Sequence, residues 1–184
     1  MVSLTLPTIA MAAVPFVAPT FARPSGSWLP GGHVGGGPAD GVLLAVEGGW
    51  GTMLAGGADA AQGAWTVGVR AGYAFARGLE LHLRYDDLGV APSSSRSPLQ
   101  LATAGLRYSA PLPVMPFAEV DAGPAFALGD VFFGAGVGVG VTLPLVNHVL
   151  LDLGGHDWLV PISGTLRQTL GVGLALAVTF GGPR

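Results

Sequence analysis

His156, Asp157 and Ser163 are residue types found together in hydrolases, where a histidine activates a serine hydroxyl for nucleophilic attack. Their spacing does not support such a site. Ser163 follows His156 by seven positions, and Pro161 and Gly164 lie close by, so the sequence fixes no geometry between the two side chains. We interpret this segment as a loop with ordinary polar residues, and we expect no enzymatic activity.

A metal site is the second chemical possibility. His148, Asp152 and His156 are spaced four apart and would share one face of a strand. Fourth neighbours on a strand lie about 13 Å apart, so these side chains cannot meet at one ion. The chain has no cysteine, which excludes disulfides, thiol catalysis and thiolate ligands. We predict neither a metal nor an organic cofactor.

A third set of reactive side chains alternates with apolar residues between positions 79 and 86. The apolar positions are Leu79, Leu81, Leu83 and Tyr85, and those between them are Glu80, His82, Arg84 and Asp86. A period of two is typical of a strand with one apolar and one polar face. The charges on that polar face could pair with charges on neighbouring strands.

Seven other segments show a similar period. The clearest lies between Val131 and Thr142, where alternate residues are apolar and the partners from Gly134 to Gly140 are glycine. Turn-forming residues separate the segments. The sequence therefore predicts eight strands at about residues 41–54, 64–75, 79–87, 99–109, 115–126, 131–143, 148–157 and 167–180.

Side-chain size decides which face points inward. An eight-stranded barrel has an interior just wide enough for its own side chains, so glycine and alanine must face the lumen and bulky apolar residues must face outward. We therefore predict an all-β fold, an eight-stranded antiparallel up-and-down transmembrane β-barrel with a polar lumen. The expected lumen network consists of Glu47, Arg70, Glu80, His82, Arg84, Asp86, Arg107, Glu119, Asp121 and Asp152.

Composition agrees with a membrane barrel. Hydrophobic residues make up 50% of the 184 residues and charged residues only 10%, with a mean hydropathy of +0.57. Glycine, proline and charges recur too often for the run of about 18 apolar residues that a transmembrane helix needs. The net charge is −3 and the arginines are scattered, so we expect no nucleic-acid binding.

The regions outside the barrel have different compositions. Residues 1–22 are apolar and end in a small-x-small pattern, which we interpret as a possible atypical signal peptide. Residues 23–40 are predicted to form a flexible linker, residues 41–180 the barrel, and residues 181–184 a C-terminal tail.

Connections and aromatic residues give two further expectations. The first, third and seventh connections, about residues 55–63, 88–98 and 158–166, are expected to be the longer ones, as extracellular loops are. Aromatic girdles are expected at both rims. One rim would carry Trp50, Tyr85 and Trp158, and the other Phe75, Tyr108, Phe117 and Phe180.

In strand number, dyad pattern, charged lumen and a last strand ending at Phe180, the chain resembles the small eight-stranded outer-membrane barrels, the class of the OmpA transmembrane domain and OmpX. The resemblance covers about residues 41–180. It implies a monomer in the bacterial outer membrane, in contact with outer-membrane lipid and with the machinery that assembles barrels there.

We hypothesise a non-enzymatic barrel with a structural or surface-interaction role, whose lumen is plugged by ion pairs. No extracellular partner can be named. Two alternatives remain open. Six lumen carboxylates against three arginines could make a narrow cation-preferring, porin-like pore. A soluble lipocalin-like barrel that binds a small ligand would instead need its polar residues outside.

Overall fold

The computed structural model describes residues 41–55, 61–75, 78–90, 98–146 and 148–180. The proposed leader, linker and tail lie outside these residues, as do most of the first and third connections. No helix in these ranges is long and apolar enough to cross a membrane. The strands are β1 (Gly41–Ala55), β2 (Gln62–Ala74), β3 (Leu79–Val90), β4 (Leu99–Ser109), β5 (Met115–Ala127), β6 (Asp130–Val146), β7 (Val149–Ile162) and β8 (Thr165–Phe180).

The eight strands form a closed antiparallel barrel in sequence order. Each strand pairs with its neighbours in the chain, and β1 closes the sheet against β8 from Val42–Phe180 to Ala55–Arg167. Closure gives every strand a partner on both sides, which is the condition for placing strands in lipid. The predicted eight-stranded up-and-down barrel is confirmed, with all eight strands near their predicted positions.

Side chains alternate between the lumen and the outer surface along each strand. In β3, Leu81 and Leu83 are exposed on the outside, whereas His82 and Arg84 between them are buried in the lumen. In β6, Val137 and Val139 face outward and Gly138 faces the lumen. A soluble barrel requires the reverse arrangement, with charges outside, so this fold does not support the lipocalin-like alternative.

Outward aromatic residues mark both ends of the apolar surface. Near the end of the barrel that holds the β1–β2 hairpin, the Trp50 ring covers Gly63 of the next strand and the Trp65 ring covers Gly89. An aromatic ring over a neighbouring glycine restores packing that the glycine lacks. The opposite rim carries Tyr73, Phe75, Tyr108 and Phe180.

Two residues expected in these girdles lie inside the barrel instead. Trp158 and Phe117 are 3% and 6% exposed and face the lumen. Their positions follow from parity, the odd or even numbering that assigns a residue to one face of its strand. Trp158 shares its face with Asp152, and Phe117 shares its face with Glu119. The expectation of a surface role for these two rings was wrong.

The seventh connection is also shorter than expected. β7 continues through Pro161 to Ile162, and Ser163–Gly164 forms a two-residue turn with both φ values positive. The pairing of β6 with β7 ends at Leu159, so the missing N–H of Pro161 removes no hydrogen bond from that edge. Leu128–Gly129 forms a similar two-residue turn between β5 and β6.

The outward orientation of β6 can be tested with arginine substitutions at two depths. Val139, near the middle of the strand, and Val131, beside the β5–β6 turn, are both 64% exposed on the outside. Val139→Arg should lower the free energy of unfolding by about 2 to 4 kcal/mol because it places a charge near the bilayer midplane, whereas Val131→Arg should cost about 0 to 1 kcal/mol. Urea unfolding in lipid vesicles measures both values. Equal effects would contradict a membrane-spanning arrangement.

Candidate functional site

Neighbouring strands bring the predicted lumen residues together because their inward positions pair in register. Arg70 of β2 lies opposite Arg84 of β3, Glu80 lies opposite Arg107 of β4, and Arg107 lies opposite Glu119 of β5. Nine of the ten predicted residues are at most 6% exposed. The tenth, Glu47, has a side chain that is 11% exposed.

The centre of the lumen is crossed by a chain of alternating charges, Arg84–Glu119–Arg70–Asp152–Arg107, which we call the charge chain. Glu119 accepts a hydrogen bond of 2.7 Å from Nη1 of Arg84 and one of 3.3 Å from Nη1 of Arg70. Asp152 Oδ2 accepts bonds of 2.7 Å from both Arg70 and Arg107. Each internal member therefore contacts opposite charge on two sides, as buried ions require.

Other polar groups join the charge chain from the side. Glu47 accepts hydrogen bonds from the Arg84 guanidinium. Thr142 Oγ1 accepts a 2.5 Å bond from Arg107 and donates one of 2.5 Å to Asp152. The Arg107 guanidinium carbon lies 3.6 Å from the centroid of the Phe117 ring, a cation–π contact.

His82 and the remaining carboxylates occupy the edge of the network. His82 Nε2 lies 2.8 Å from Asp121 Oδ1, within hydrogen-bond distance. Glu80 Oε1 is 3.5 Å from Arg70 Nε, and Asp86 Oδ2 is 3.6 Å from Arg84 Nε. The structure therefore brings all ten predicted residues into one connected set of charges.

Inward glycines supply the space for these large side chains. A Cβ on Gly138 would lie 2.8 Å from both Glu119 Cγ and His156 Cε1. On Gly105 it would lie 2.3 Å from Asp121 Oδ1, and on Gly68 2.1 Å from Asp86 Oδ1. The glycine positions and the charged side chains are thus complementary in volume.

Two layers of buried apolar residues lie in the lumen, one on either side of the charges. The larger layer lies toward the β1–β2 and β7–β8 hairpins, and the smaller one lies toward the chain ends and contains Leu43, Ala45 and Ala177. The alternation along the strands places the members of both layers in the lumen, although only the charged residues were predicted there. The larger layer is made of Met53, Ala64, Leu88, Leu99, Leu101, Ala125, Ala127, Trp158, Val160 and Ile162.

A small cavity remains beside the charge chain. It measures about 50 Å³, and its walls include Gly49, Gly171 and Gly173. This volume has space for roughly three to five water molecules. The buried Thr169 Oγ1 borders it and has no hydrogen-bond partner among the residues that the structure describes, so water is the natural partner.

The hydrolase residue types do not converge. His156 faces the lumen and lies 3.2 Å from Glu119, whereas Asp157 faces outward and Ser163 lies in the β7–β8 turn. His148 lies in the β6–β7 turn, at the end of β7 opposite to Ser163. Within the described ranges, no group of histidine and carboxylate side chains has the geometry of a metal site.

No family model matches the sequence, and no curated protein matches it. Among solved structures, the crystal structure of Neisserial surface protein A (NspA) matches with a TM-score of 0.69 and 18% identity, over 78% of this chain and 100% of NspA. The chain has the fold of a small outer-membrane β-barrel. The Yersinia pestis attachment invasion locus protein Ail also matches, with a TM-score of 0.47 and 8% identity over 76% of this chain and 99% of Ail. The shared NspA fold and the apolar outer surface together support localisation in the bacterial outer membrane.

Removing one internal charge tests the charge chain. Glu119, whose side chain is fully buried, accepts hydrogen bonds from Arg70 and Arg84, so Glu119→Gln should lower the free energy of unfolding by about 1.5 to 3 kcal/mol, because those bonds lose the carboxylate charge while other carboxylates still pair both arginines. Asp130→Asn, at an exposed position beside the β5–β6 turn, should stay within about 0.5 kcal/mol. Urea unfolding in vesicles compares them. A Glu119→Gln barrel as stable as the Asp130→Asn control would show that the network is not essential for stability.

Proposed function

We propose that the protein is a monomeric, non-enzymatic outer-membrane β-barrel that acts as a structural element and presents a small surface at one end of the barrel. The observation that carries this proposal is the filled lumen, with the charge chain between two apolar layers. The separation of His156 from Asp157 and Ser163 supports a non-enzymatic role.

The closed lumen argues against transport as the main activity. A hydrated ion moving along the barrel would have to displace the Trp158 layer and then separate paired charges such as Arg70 and Asp152. Breaking a buried pair is strongly unfavourable, at about 3 to 5 kcal/mol. The barrel therefore serves as a stable anchor whose ends are available for contacts.

The end with the longer connections is the proposed surface. The two longest connections, residues 56–61 and 91–98, lie at this end, whereas the connections at the opposite end have four, five and two residues. Outer-membrane barrels place long loops outside and short turns in the periplasm. The NspA match, a surface protein by name, fits this orientation. Outer-membrane lipid and the barrel assembly machinery are the partners that this role implies.

A narrow cation-preferring pore is the second candidate, because the network holds six carboxylates and only three arginines. Planar-bilayer recording separates the two candidates. The purified barrel should show no steady conductance, since the charge chain and the Trp158 layer fill its cross-section. Steady conductance that favours cations would overturn the plugged barrel and establish the pore.

The proposed orientation can be tested because the chain has no cysteine. Ser163→Cys places a thiol in the exposed β7–β8 turn, and His148→Cys places one in the exposed β6–β7 turn at the opposite end. A membrane-impermeant maleimide should label Ser163→Cys in intact cells and His148→Cys only after the outer membrane is permeabilised. The opposite pattern would invert the orientation, and labelling of both thiols in a soluble fraction would refute membrane insertion.

A further inference from the structure

The outer surface of the barrel carries a trough across β6, β7, β8 and β1. Two rows of outward positions form it. One row runs through Val139, Gly155, Val172 and Trp50, and the other runs through Val137, Asp157, Leu170 and Thr52. The trough is an open depression of about 550 Å³, a volume within the range of clefts that bind small molecules.

The trough exists because its central position has no side chain and none of the described neighbours covers it. The outward glycines Gly63 and Gly89 lie under the rings of Trp50 and Trp65. A Cβ on Gly155, by contrast, would approach only the backbone oxygen of Gly171, at 3.3 Å. Gly155 therefore forms an open floor between exposed Val139 and Val172.

One end of the trough is polar. The Asp157 carboxylate faces outward from the barrel, where it accepts hydrogen bonds of 3.1 and 2.9 Å from Nε2 of Gln168. A carboxylate has about four lone-pair sites, so capacity remains for further donors. Within the described part of the chain, no lysine or arginine lines the trough, which disfavours recognition of a phosphate group.

The polar end and the apolar floor of the trough lie at different depths in the membrane. Asp157 is closer than Gly155 to the β7–β8 turn, the end assigned above to the cell exterior. The polar group thus lies toward the outer interface and the apolar floor toward the membrane centre. An outer-leaflet lipid has the same polarity along its length.

We propose that this trough binds one lipid of the outer leaflet, whose acyl chain lies over Gly155 and whose hydroxyl or amide N–H donates to Asp157. Lipid A carries such donors where its acyl chains begin, and phosphatidylcholine carries none. The inference rests on the proposed outer-membrane role and adds a binding site with a defined ligand chemistry.

Filling the floor tests the acyl-chain contact. Gly155→Leu projects a side chain into the trough, and Ala104→Leu adds a side chain at an exposed outward position on β4, across the barrel. Purified barrels in mild detergent are incubated with lipid A or phosphatidylcholine and examined by native mass spectrometry. The unaltered protein and Ala104→Leu should retain one lipid A, and Gly155→Leu should lose it.

Removing the charge tests the polar contact. Asp157→Asn should weaken lipid A retention about tenfold, the equivalent of one hydrogen bond to a charged group. Asp87→Asn is the matched control, because Asp87 also faces outward, opposite Gln100 on β4, and lies outside the trough. Its lipid A retention should be unchanged.

Gel mobility before and after heating separates failure of this inference from failure of the membrane fold. All four variants should migrate as folded barrels before heating and as unfolded chains after it. Folded variants that retain lipid A equally, or that retain phosphatidylcholine as well as lipid A, would overturn the binding site while leaving the barrel intact. Unaltered protein that shows no such mobility shift would contradict the outer-membrane role itself.

Discussion

The interior volume of an eight-stranded barrel is the constraint on which this structure depends. The lumen has space only for side chains that interlock, so each large inward residue needs a small one on a facing strand. Trp158 lies against Gly136, Glu119 against Gly138, and Phe117 against Gly140. The glycine ladder of β6 is therefore the counterpart of the charges and rings on β5 and β7.

The surrounding lipid adds a second requirement, which fixes where the charges can lie. A low-dielectric exterior makes an isolated charge expensive, so the charged side chains collect in the lumen and pair there. The outward carboxylates Asp87 and Asp157 are exceptions that lie toward the end of the barrel with the longer connections. Asp157 has the amide of Gln168 as a hydrogen-bond partner.

Most of the fold could be predicted because each strand of a barrel in lipid alternates apolar residues with polar or small ones. The alternation from Leu79 to Asp86 fixed the phase of β3, and the same parity located the other lumen charges. The prediction was wrong where a local feature, such as a turn-forming residue, indicated something different from this alternation. Pro161 indicated a turn, but β7 continues past it because β6 no longer pairs there. Proximity to strand ends suggests surface positions for Trp158 and Phe117, but the alternation along β7 and β5 places both inside.

The partners of each charge could not be predicted, because they depend on the stagger of strands that are distant in sequence. Arg70 and Asp152 are 82 residues apart, yet they form one of the shortest bonds of the charge chain. The trough over Gly155 could not be predicted from the sequence either, because it depends on which side chains of neighbouring strands cover a glycine.

The charge chain also determines how a plugged barrel could change state. Separating one buried pair costs about 3 to 5 kcal/mol, so a lumen with one pair separated would be populated by roughly one molecule in 10² to 10⁴. Because Glu119 and Asp152 each accept hydrogen bonds from two arginines, moving one arginine leaves the carboxylate paired with another. Partial rearrangement is therefore less unfavourable than full separation. Such a local exchange of partners beside the small cavity leaves the larger apolar layer in place.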